Sequence, residues 1–293
     1  MVSLVKFLDG ATERLGVLRD GAVFDVAAPT VEGYGDPVVA LIRQVGDDAA
    51  AITPTGPGRP LDAVTLTAPI TRPSKNVLCV GLNYHAHAKE FSSSGYDTKR
   101  EPSGKPAPTH PIVFTKAACT VTGPYSDVVV PWDVTNEVDY EGELGVVIGR
   151  GGRGINKENA YDHVWGYTVI NDVTARDLQR NHAQWFLGKS IDTFCPMGPA
   201  IVTADAVDPE ALRLQCWVNG DLRQDAVTRD LIFDIPTLIE TISASVTLEP
   251  GDVIATGTPQ GVGIGFDPPR FLKRDDVVRV EISGLGHIEN RIV

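Results

Sequence analysis

The sequence has few cysteines, fewer basic than acidic residues, and no long apolar run. Its four cysteines are too far apart to form a paired metal-ligand motif and too few for a dense disulfide framework. No apolar stretch approaches the ~20 residues needed to cross a bilayer, and the N-terminus lacks the charged-then-apolar layout of a secretory signal. We therefore expect a cytoplasmic protein.

Negative charge dominates the surface chemistry that this chain can offer. The formal net charge is −12, with 38 acidic residues against 26 basic ones. This sign repels phosphate backbones and anionic lipids, so we expect no nucleic-acid partner and no membrane partner. A small anion can still bind where a metal ion or a few cations reverse the local field.

The chain divides into a short leading part and a longer main part. The pattern of apolar and turn residues over 1–72 predicts short strands separated by Gly, Pro and Asp, with one helix near Pro37–Val45. The Pro- and Gly-rich segment 53–60 predicts a turn or linker. Together with 71–74 it marks the seam between a small β-rich N-terminal domain and a main domain at 73–293.

Many short strands and few helices indicate an α+β fold for the main domain. A helix is expected over 233–243, where Ile235, Leu238, Ile239 and Ile242 recur at helical spacing. The predicted strands cover 77–80, 112–115, 144–148, 166–171, 214–218 and 277–282.

Carboxylates gather at the ends of two predicted strands. Glu141 and Glu143 are two residues apart and point to one face, where they repel unless a cation or proton lies between them. Asp172 ends another apolar strand, and Asp139 would continue the face of the two glutamates further toward solvent. No His or Cys lies at ligand spacing, so the pattern favours Mg²⁺, Mn²⁺ or Ca²⁺ over Zn²⁺. Solvated carboxylates at a strand edge are the open alternative.

An acid–base pair and a lysine supply the other candidate groups. If the segment 81–90 is helical, His87 and Glu90 share a face and could form a general base, or merely a surface ion pair. The polar loop expected over 91–111 beside them could act as a lid. Lys189 follows two aromatic residues, and it could donate to a developing oxyanion or extend to solvent.

Two glycine-rich segments carry weaker signals. Residues 149–154 fit G-x-G-x-x-G after a strand, but too little chain precedes the next strand for the crossover helix of a dinucleotide site. We interpret them as a tight turn. Residues 257–265 lack the Lys-Ser/Thr ending of a phosphate loop and favour close backbone approach to a small carboxylate.

Taken together, the motifs resemble the fumarylacetoacetate hydrolase family. The resemblance covers residues 74–293, and several motifs in a fixed order are harder to meet by chance than one. They are VGLNY (80–84) with His87 and Glu90, YEGEL (140–144), NDVTARDLQ (171–179), GKS (188–190) and GTPQGVG (257–263).

The resemblance implies the mixed β-roll core of that family, usually in a homodimer. It implies Mg²⁺ or Mn²⁺ as the cofactor, with Ca²⁺ as a third candidate, and a small 2-oxo acid as the substrate. The matched positions are Glu141, Glu143 and Asp172 as metal ligands, His87, Glu90 and Lys189 as catalytic residues, and Arg176, Gln179 and Thr258 as substrate-binding residues.

The reaction implied is hydrolysis of a C–C bond in a 2,4-dioxo acid of the acylpyruvate type. The metal would stabilise the departing enolate, His87 would deprotonate water, and Lys189 would stabilise the tetrahedral oxyanion. The same ligands could instead serve oxaloacetate decarboxylation or isomerisation of a 2-hydroxy dienedioate. A metal-stabilised binding or scaffold protein without turnover is the alternative outside enzymes.

Two positions depart from the family pattern. Asn83 stands where fumarylacetoacetase itself carries an additional carboxylate ligand, which argues against that activity. Leu82 replaces a cation of some acylpyruvate-cleaving members, which leaves open how a substrate carboxylate is recognised. The stretch 185–190 is more similar to bacterial diketo-acid hydrolases and their mammalian two-domain relatives.

Overall fold

The computed structural model describes residues 2–293 except 32, 34, 97–106 and 183. Strands dominate this part of the chain. They are β1 (Ser3–Asp9), β2 (Thr12–Arg19), β3 (Ala22–Val26), β4 (Pro54–Pro60), β5 (Thr65–Thr67), β6 (Val77–Gly81), β7 (Ile112–Lys116), β8 (Val121–Thr122), β9 (Val138–Asp139), β10 (Gly142–Ile148), β11 (Val164–Asn171), β12 (Thr174–Ala175), β13 (Cys195–Thr203), β14 (Arg213–Val218), β15 (Asp221–Val227), β16 (Val253–Ala255), β17 (Val277–Ile282) and β18 (Gly286–Arg291). The α-helices are α1 (Pro37–Val45), α2 (His85–Ser93), α3 (Arg176–Asn181), α4 (Phe186–Lys189) and α5 (Ile235–Ser243).

One large mixed sheet forms the centre of the molecule. Its strands follow the order β4-β3-β2-β1-β13-β11-β10-β16-β6-β7, with β5 beside β1 and β8 beside β13. A second sheet, in the order β15-β14-β17-β18, packs on one face, where Leu144 and Val146 of β10 join its core. Helix α1 covers the other face, toward which Val147 points. The α+β prediction is confirmed, and β10 is buried on both faces because both are covered.

The strands and helices predicted from periodicity are confirmed, with ends that differ by at most two residues. The start of α5 has a clear cause. The Asp234 carboxylate accepts a hydrogen bond from the Thr237 N–H at 2.9 Å, and Pro236 occupies the first turn. Both features are typical of a helix N-terminus, and they begin the helix two residues later than the apolar pattern alone indicated.

The prediction of a turn or linker at 53–60 is wrong. This segment contains β4, which pairs with β3 at the edge of the large sheet. Proline cannot donate to a strand ladder, but an edge strand can leave those positions facing solvent. Strand β1 pairs with β13, so the sheet continues from the leading segment into the main part of the chain. The division into domains at residue 72 stays a prediction.

A buried ion pair fastens the N-terminal strands to the seam. Lys6 on β1 donates to the Asp36 carboxylate at 2.6 Å, and both side chains are fully buried. The same carboxylate accepts from the backbone N–H groups of Thr71 and Arg72 at 3.0 and 3.2 Å. Residues distant in sequence are thus held at one point.

The loop expected over 91–111 begins later than predicted. Helix α2 continues through Ser93, since Phe91 is buried in an apolar cluster with Val262 and Ile264. Much of the remaining loop, 97–106, falls outside the described residues, so its role as a lid stays a prediction. Among the described residues, no helix is long and apolar enough to span a membrane.

Candidate active site

Three carboxylates meet where two central strands pair. Glu141 directly precedes β10, Glu143 lies within it, and Asp172 follows β11, the antiparallel neighbour of β10. One oxygen from each lies within 4.8 Å of the others. Their exposed fractions are 5%, 1% and 0%, so the alternative of solvated carboxylates at a strand edge is wrong.

Each of these carboxylates has at least one oxygen held by another group of the protein. The contacts join Glu141 Oε1 to Arg176 Nη2 at 2.6 Å, Glu143 Oε2 to Gly257 N at 2.9 Å, and Asp172 Oδ1 to Lys116 Nζ at 2.6 Å. The second oxygens of Glu141 and Asp172 both accept from Lys189 Nζ, at 2.7 Å each. The Glu141 and Asp172 carboxylates are therefore oriented, each with its second oxygen on the same ammonium group.

This donor set fits a hard divalent cation. The ligand atoms are carboxylate oxygens, which suit Mg²⁺ and Mn²⁺. Burial and the neighbouring Asp172 and Glu141 carboxylates raise the pKa of Glu143 well above its ordinary value, a repulsion that a cation would relieve. Burial alone would raise the pKa of Glu141 too, but Lys189 and Arg176 lower it to about 2, so this ligand stays ionised.

Asp139 lies in the interior, which corrects the expectation that it would point toward solvent. Its carboxylate accepts from Arg176 Nε at 3.0 Å and from the N–H groups of Gly263 and Ile264 at 2.6 and 3.1 Å. These partners compensate a fully buried charge, although burial still raises the pKa of Asp139. Asp139 thus fixes Arg176, which in turn contacts Glu141.

The acid–base pair is formed as predicted from its spacing. His87 Nδ1 lies 3.1 Å from Glu90 Oε2 on α2, and Glu90 Oε1 accepts from the Gly261 N–H at 2.9 Å. The His87 side chain is 4% exposed, so this is not a surface ion pair. A carboxylate at Nδ1 favours the tautomer with its proton there, which leaves Nε2 as the basic nitrogen.

A small cavity of about 20 Å³ joins these groups. Of the nine predicted site residues, those on its wall are His87, Glu141, Glu143, Arg176, Gln179, Lys189 and Thr258. The other two stand directly behind, because Glu90 contacts His87 and Asp172 contacts Lys189. The structure therefore brings all nine together, while their individual roles stay predictions. Lys189 is 1% exposed, so it does not extend to solvent.

Two predicted substrate-binding residues on the wall, and Asn83 nearby in sequence, form hydrogen bonds within the protein. Gln179 Oε1 accepts from Arg176 Nη1 at 3.0 Å, and Thr258 Oγ1 donates to the Gly142 carbonyl at 3.0 Å. The Asn83 side chain donates to the backbone carbonyls of Thr256 and Phe233. Asn83 therefore stabilises the fold and adds no carboxylate to the cluster.

Leu82 contributes an apolar surface to the cavity. It lies on the wall and packs against the cluster that contains Phe91 and Val262. This position therefore offers no charge to a substrate carboxylate.

Sequence reasoning missed Lys116, which contacts one carboxylate of this site. It ends β7, is fully buried, and donates to Asp172 Oδ1. A lysine that closes an apolar strand is a weak signal, because many such residues extend to solvent. Its partner is 56 residues further along the chain, so no local spacing connects the two.

The fold and site define a class: a mixed β-sheet protein with a buried cluster of three carboxylates beside a histidine–glutamate pair. The chain belongs to the fumarylacetoacetate hydrolase family, because the family model for the fumarylacetoacetate (FAA) hydrolase C-terminal domain matches residues 76–293. The oxaloacetate tautomerase YisK of Bacillus subtilis is 52% identical over 234 residues, which cover 79% of this chain and 74% of that protein.

Two solved structures show how varied the named activities of similar proteins are. A 2-hydroxyhepta-2,4-diene-1,7-dioate isomerase from Mycobacterium marinum has 32% identity and a TM-score of 0.78, over 100% of this chain and 98% of that one. A maleylpyruvate hydrolase from Sphingobium sp. SYK-6, solved with manganese(II) and pyruvate, has 33% identity and a TM-score of 0.77, over 99% and 98%.

Proposed function

We propose that this protein is a divalent-metal-dependent enzyme that interconverts the keto and enol forms of a small 2-oxo dicarboxylate, with oxaloacetate as the substrate. One arrangement carries the proposal: the Glu141, Glu143 and Asp172 carboxylates and the His87–Glu90 pair lie on the wall of one cavity or in contact with its wall residues. The 52% identity to a protein named oxaloacetate tautomerase supports this choice of reaction. Mg²⁺ or Mn²⁺ is the proposed ion.

The residues of the chain suit a proton transfer. A divalent ion held by the three carboxylates would polarise the 2-oxo group and acidify the neighbouring C–H. Tautomerisation to the enol removes one proton from that carbon and adds one to the 2-oxo oxygen. His87 can take and return the proton at Nε2, because Glu90 holds Nδ1.

Lys189 is suited to donate a hydrogen bond rather than to act as a base. Burial lowers its pKa, but the Asp172 and Glu141 carboxylates outweigh burial and raise it above the ordinary value. Two of its three N–H groups are used by those carboxylates, which leaves one for a substrate oxygen at the cavity wall. This donor would stabilise the charge that develops on the substrate as the proton leaves carbon.

Hydrolysis of a C–C bond in an acylpyruvate is the second candidate. The His87–Glu90 pair favours it, since an oriented imidazole can also deprotonate a water molecule. The likeness to a maleylpyruvate hydrolase supports it as well. Decarboxylation of oxaloacetate and isomerisation of a 2-hydroxy dienedioate need the same enolate chemistry, so they belong in the same test.

A substrate panel with added metal tests these functions together. The purified protein with Mg²⁺ or Mn²⁺ should accelerate loss of the oxaloacetate enol absorbance, while chelation or His87→Ala should abolish the acceleration with the fold intact. Pyruvate release from oxaloacetate or from acylpyruvates would instead identify decarboxylation or hydrolysis. If no member of the panel turns over with either ion, the enzymatic proposal fails.

The alternative of a metal-stabilised scaffold makes a different prediction. Under it, Glu141→Gln lowers the melting temperature, and no oxo acid shifts the melting temperature of the metal-loaded wild type. Homodimeric assembly and a cytoplasmic location stay predictions, which sedimentation and cell fractionation would test.

A further inference from the structure

Lys116 lies behind the carboxylates rather than on the cavity wall. Its ammonium group is fully buried and donates to Asp172 Oδ1 at 2.6 Å and to the Val173 carbonyl at 2.9 Å. The second bond ties the lysine to the backbone immediately after Asp172. Lys116 is therefore anchored independently of whatever occupies the cavity.

The two oxygens of Asp172 have different surroundings. Oδ2 accepts from Lys189 Nζ at 2.7 Å, and the same ammonium group donates to Glu141 Oε2 at 2.7 Å. Oδ2 therefore lies on the side of the neighbouring carboxylates, whereas Oδ1 is held by Lys116. A buried, charge-assisted bond of this kind restrains the rotation of a carboxylate strongly.

The number of oxygens that each carboxylate offers affects which ion a site prefers. Mg²⁺ requires a compact octahedral set, to which a carboxylate usually gives one oxygen. Ca²⁺ accepts six to eight oxygens in flexible geometry and often takes both oxygens of a carboxylate. A residue that occupies one oxygen permanently therefore disfavours Ca²⁺ relative to Mg²⁺.

We propose that Lys116 is a positioning residue that limits Asp172 to one metal-binding oxygen and so makes the site select Mg²⁺ or Mn²⁺ over Ca²⁺. The inference rests on the divalent-metal site of the proposed function. It extends that proposal because it assigns ion selectivity to a residue outside the cavity. Lys189 does not have this role, since its ammonium group is shared by Asp172 Oδ2 and Glu141 Oε2 and therefore restrains neither carboxylate alone.

Calorimetric titration of the full-length protein with Mg²⁺ and with Ca²⁺ tests the inference. In Lys116→Met the apolar chain keeps its length but Oδ1 is released, so Mg²⁺ affinity should fall about 10–100-fold. Ca²⁺ affinity should fall much less, because Asp172 can then offer both oxygens. The ratio of the Ca²⁺ Kd to the Mg²⁺ Kd should thus decrease by about tenfold or more.

Lys6→Met is the matched control. Lys6 is equally buried and is also paired with an aspartate at 2.6 Å, but at the N-terminal seam. It should destabilise the fold without changing the ratio of the two Kd values. Lys116→Leu provides a second variant without a hydrogen-bond donor if the methionine variant does not fold, with the same decrease expected.

A crystal structure of the Ca²⁺-loaded wild type gives a reading that needs no variant. Lys116 should still contact Asp172 Oδ1, with the ion on Oδ2 alone. Coordination through both oxygens, or an unchanged Kd ratio in a folded Lys116 variant, overturns the inference and leaves the proposed metal site standing. If the wild type binds none of Mg²⁺, Mn²⁺ and Ca²⁺, the metal site fails and the inference with it.

Discussion

Replacing Gly265 with alanine would displace the Glu90 side chain without substituting any polar residue of the site. Gly265 ends a short 3₁₀ turn, Gly263–Gly265, and its backbone is not in the left-handed region, so alanine can adopt its conformation. An added Cβ would lie 1.8 Å from Glu90 Oε1 and 2.6 Å from Glu90 Cγ. The carboxylate must therefore leave, and its contacts to the Gly261 N–H at 2.9 Å and to His87 at 3.1 Å are lost.

The expected loss is mainly in turnover. Positioned acid–base catalysis contributes about 10²–10⁴-fold, and because His87 itself remains we expect the lower end, ~10² in kcat. Loss of one acceptor for a partly buried N–H costs about 1–3 kcal/mol of stability, so the variant should fold. Enol consumption with saturating metal measures the first effect, and thermal unfolding measures the second.

A double-mutant cycle decides whether Gly265 acts through Glu90. Glu90→Ala removes the atoms with which the new methyl group collides, so adding Gly265→Ala to it should cause no further loss. If each single variant loses ~10² in kcat and the double variant loses no more than either, the coupling energy between the two positions is about 2.7 kcal/mol. Losses that multiply, or a Gly265→Ala variant as active as the wild type, would refute the reasoning.

Further predictions concern the metal, the N-terminal seam and one helix cap. Mg²⁺ at a hundred times its Kd should stabilise the wild type by about 2.7 kcal/mol in thermal unfolding, and Glu141→Gln should abolish most of that gain. Lys6→Met should lower the free energy of unfolding by about 3–5 kcal/mol in urea titration, because it leaves the Asp36 charge buried without its partner. Metal-dependent turnover per folded molecule should be unchanged. Asp234→Ala should cost about 1 kcal/mol as a lost helix N-cap, and Asp234→Asn less. Burial would raise the pKa of Asp234, but Lys157 and the cap hydrogen bonds lower it overall. Its stabilisation is therefore present above the ordinary aspartate pKa, and the gap between wild type and Asp234→Ala should close as pH falls through the lowered folded value.

Local patterns predicted the parts of the molecule whose cause is local. The two-residue repeat placed Glu141 and Glu143 on one face, and the three-residue spacing of His87 and Glu90 placed them within contact. The apolar run 144–148 predicted a strand, and the layers that cover both faces of β10 explain why this strand is apolar. Each of these follows from the geometry of a single element.

Composition misled at one edge of the sheet. Segment 53–60 is rich in proline and glycine, residues that usually interrupt strands, yet β4 forms there. In the described sheet this segment lies beside β3 and has no further neighbour. An edge strand tolerates proline and glycine, because one side of it forms no ladder hydrogen bonds. Sheet order depends on pairings across the whole chain, so the local sequence could not reveal it.

The proposed metal site also depends on contacts between residues distant in sequence, which the local sequence could not reveal. The three carboxylates proposed as ligands are visible locally in the sequence. The groups that hold one oxygen of each carboxylate are distant in sequence: Arg176 for Glu141, Gly257 for Glu143, and Lys116 for Asp172. Ligand type selects among broad classes of ion, whereas the number of free oxygens distinguishes Mg²⁺ from Ca²⁺. Sequence comparison of the ligands alone should therefore predict that a divalent ion binds, while the choice of ion depends on residues that never touch it.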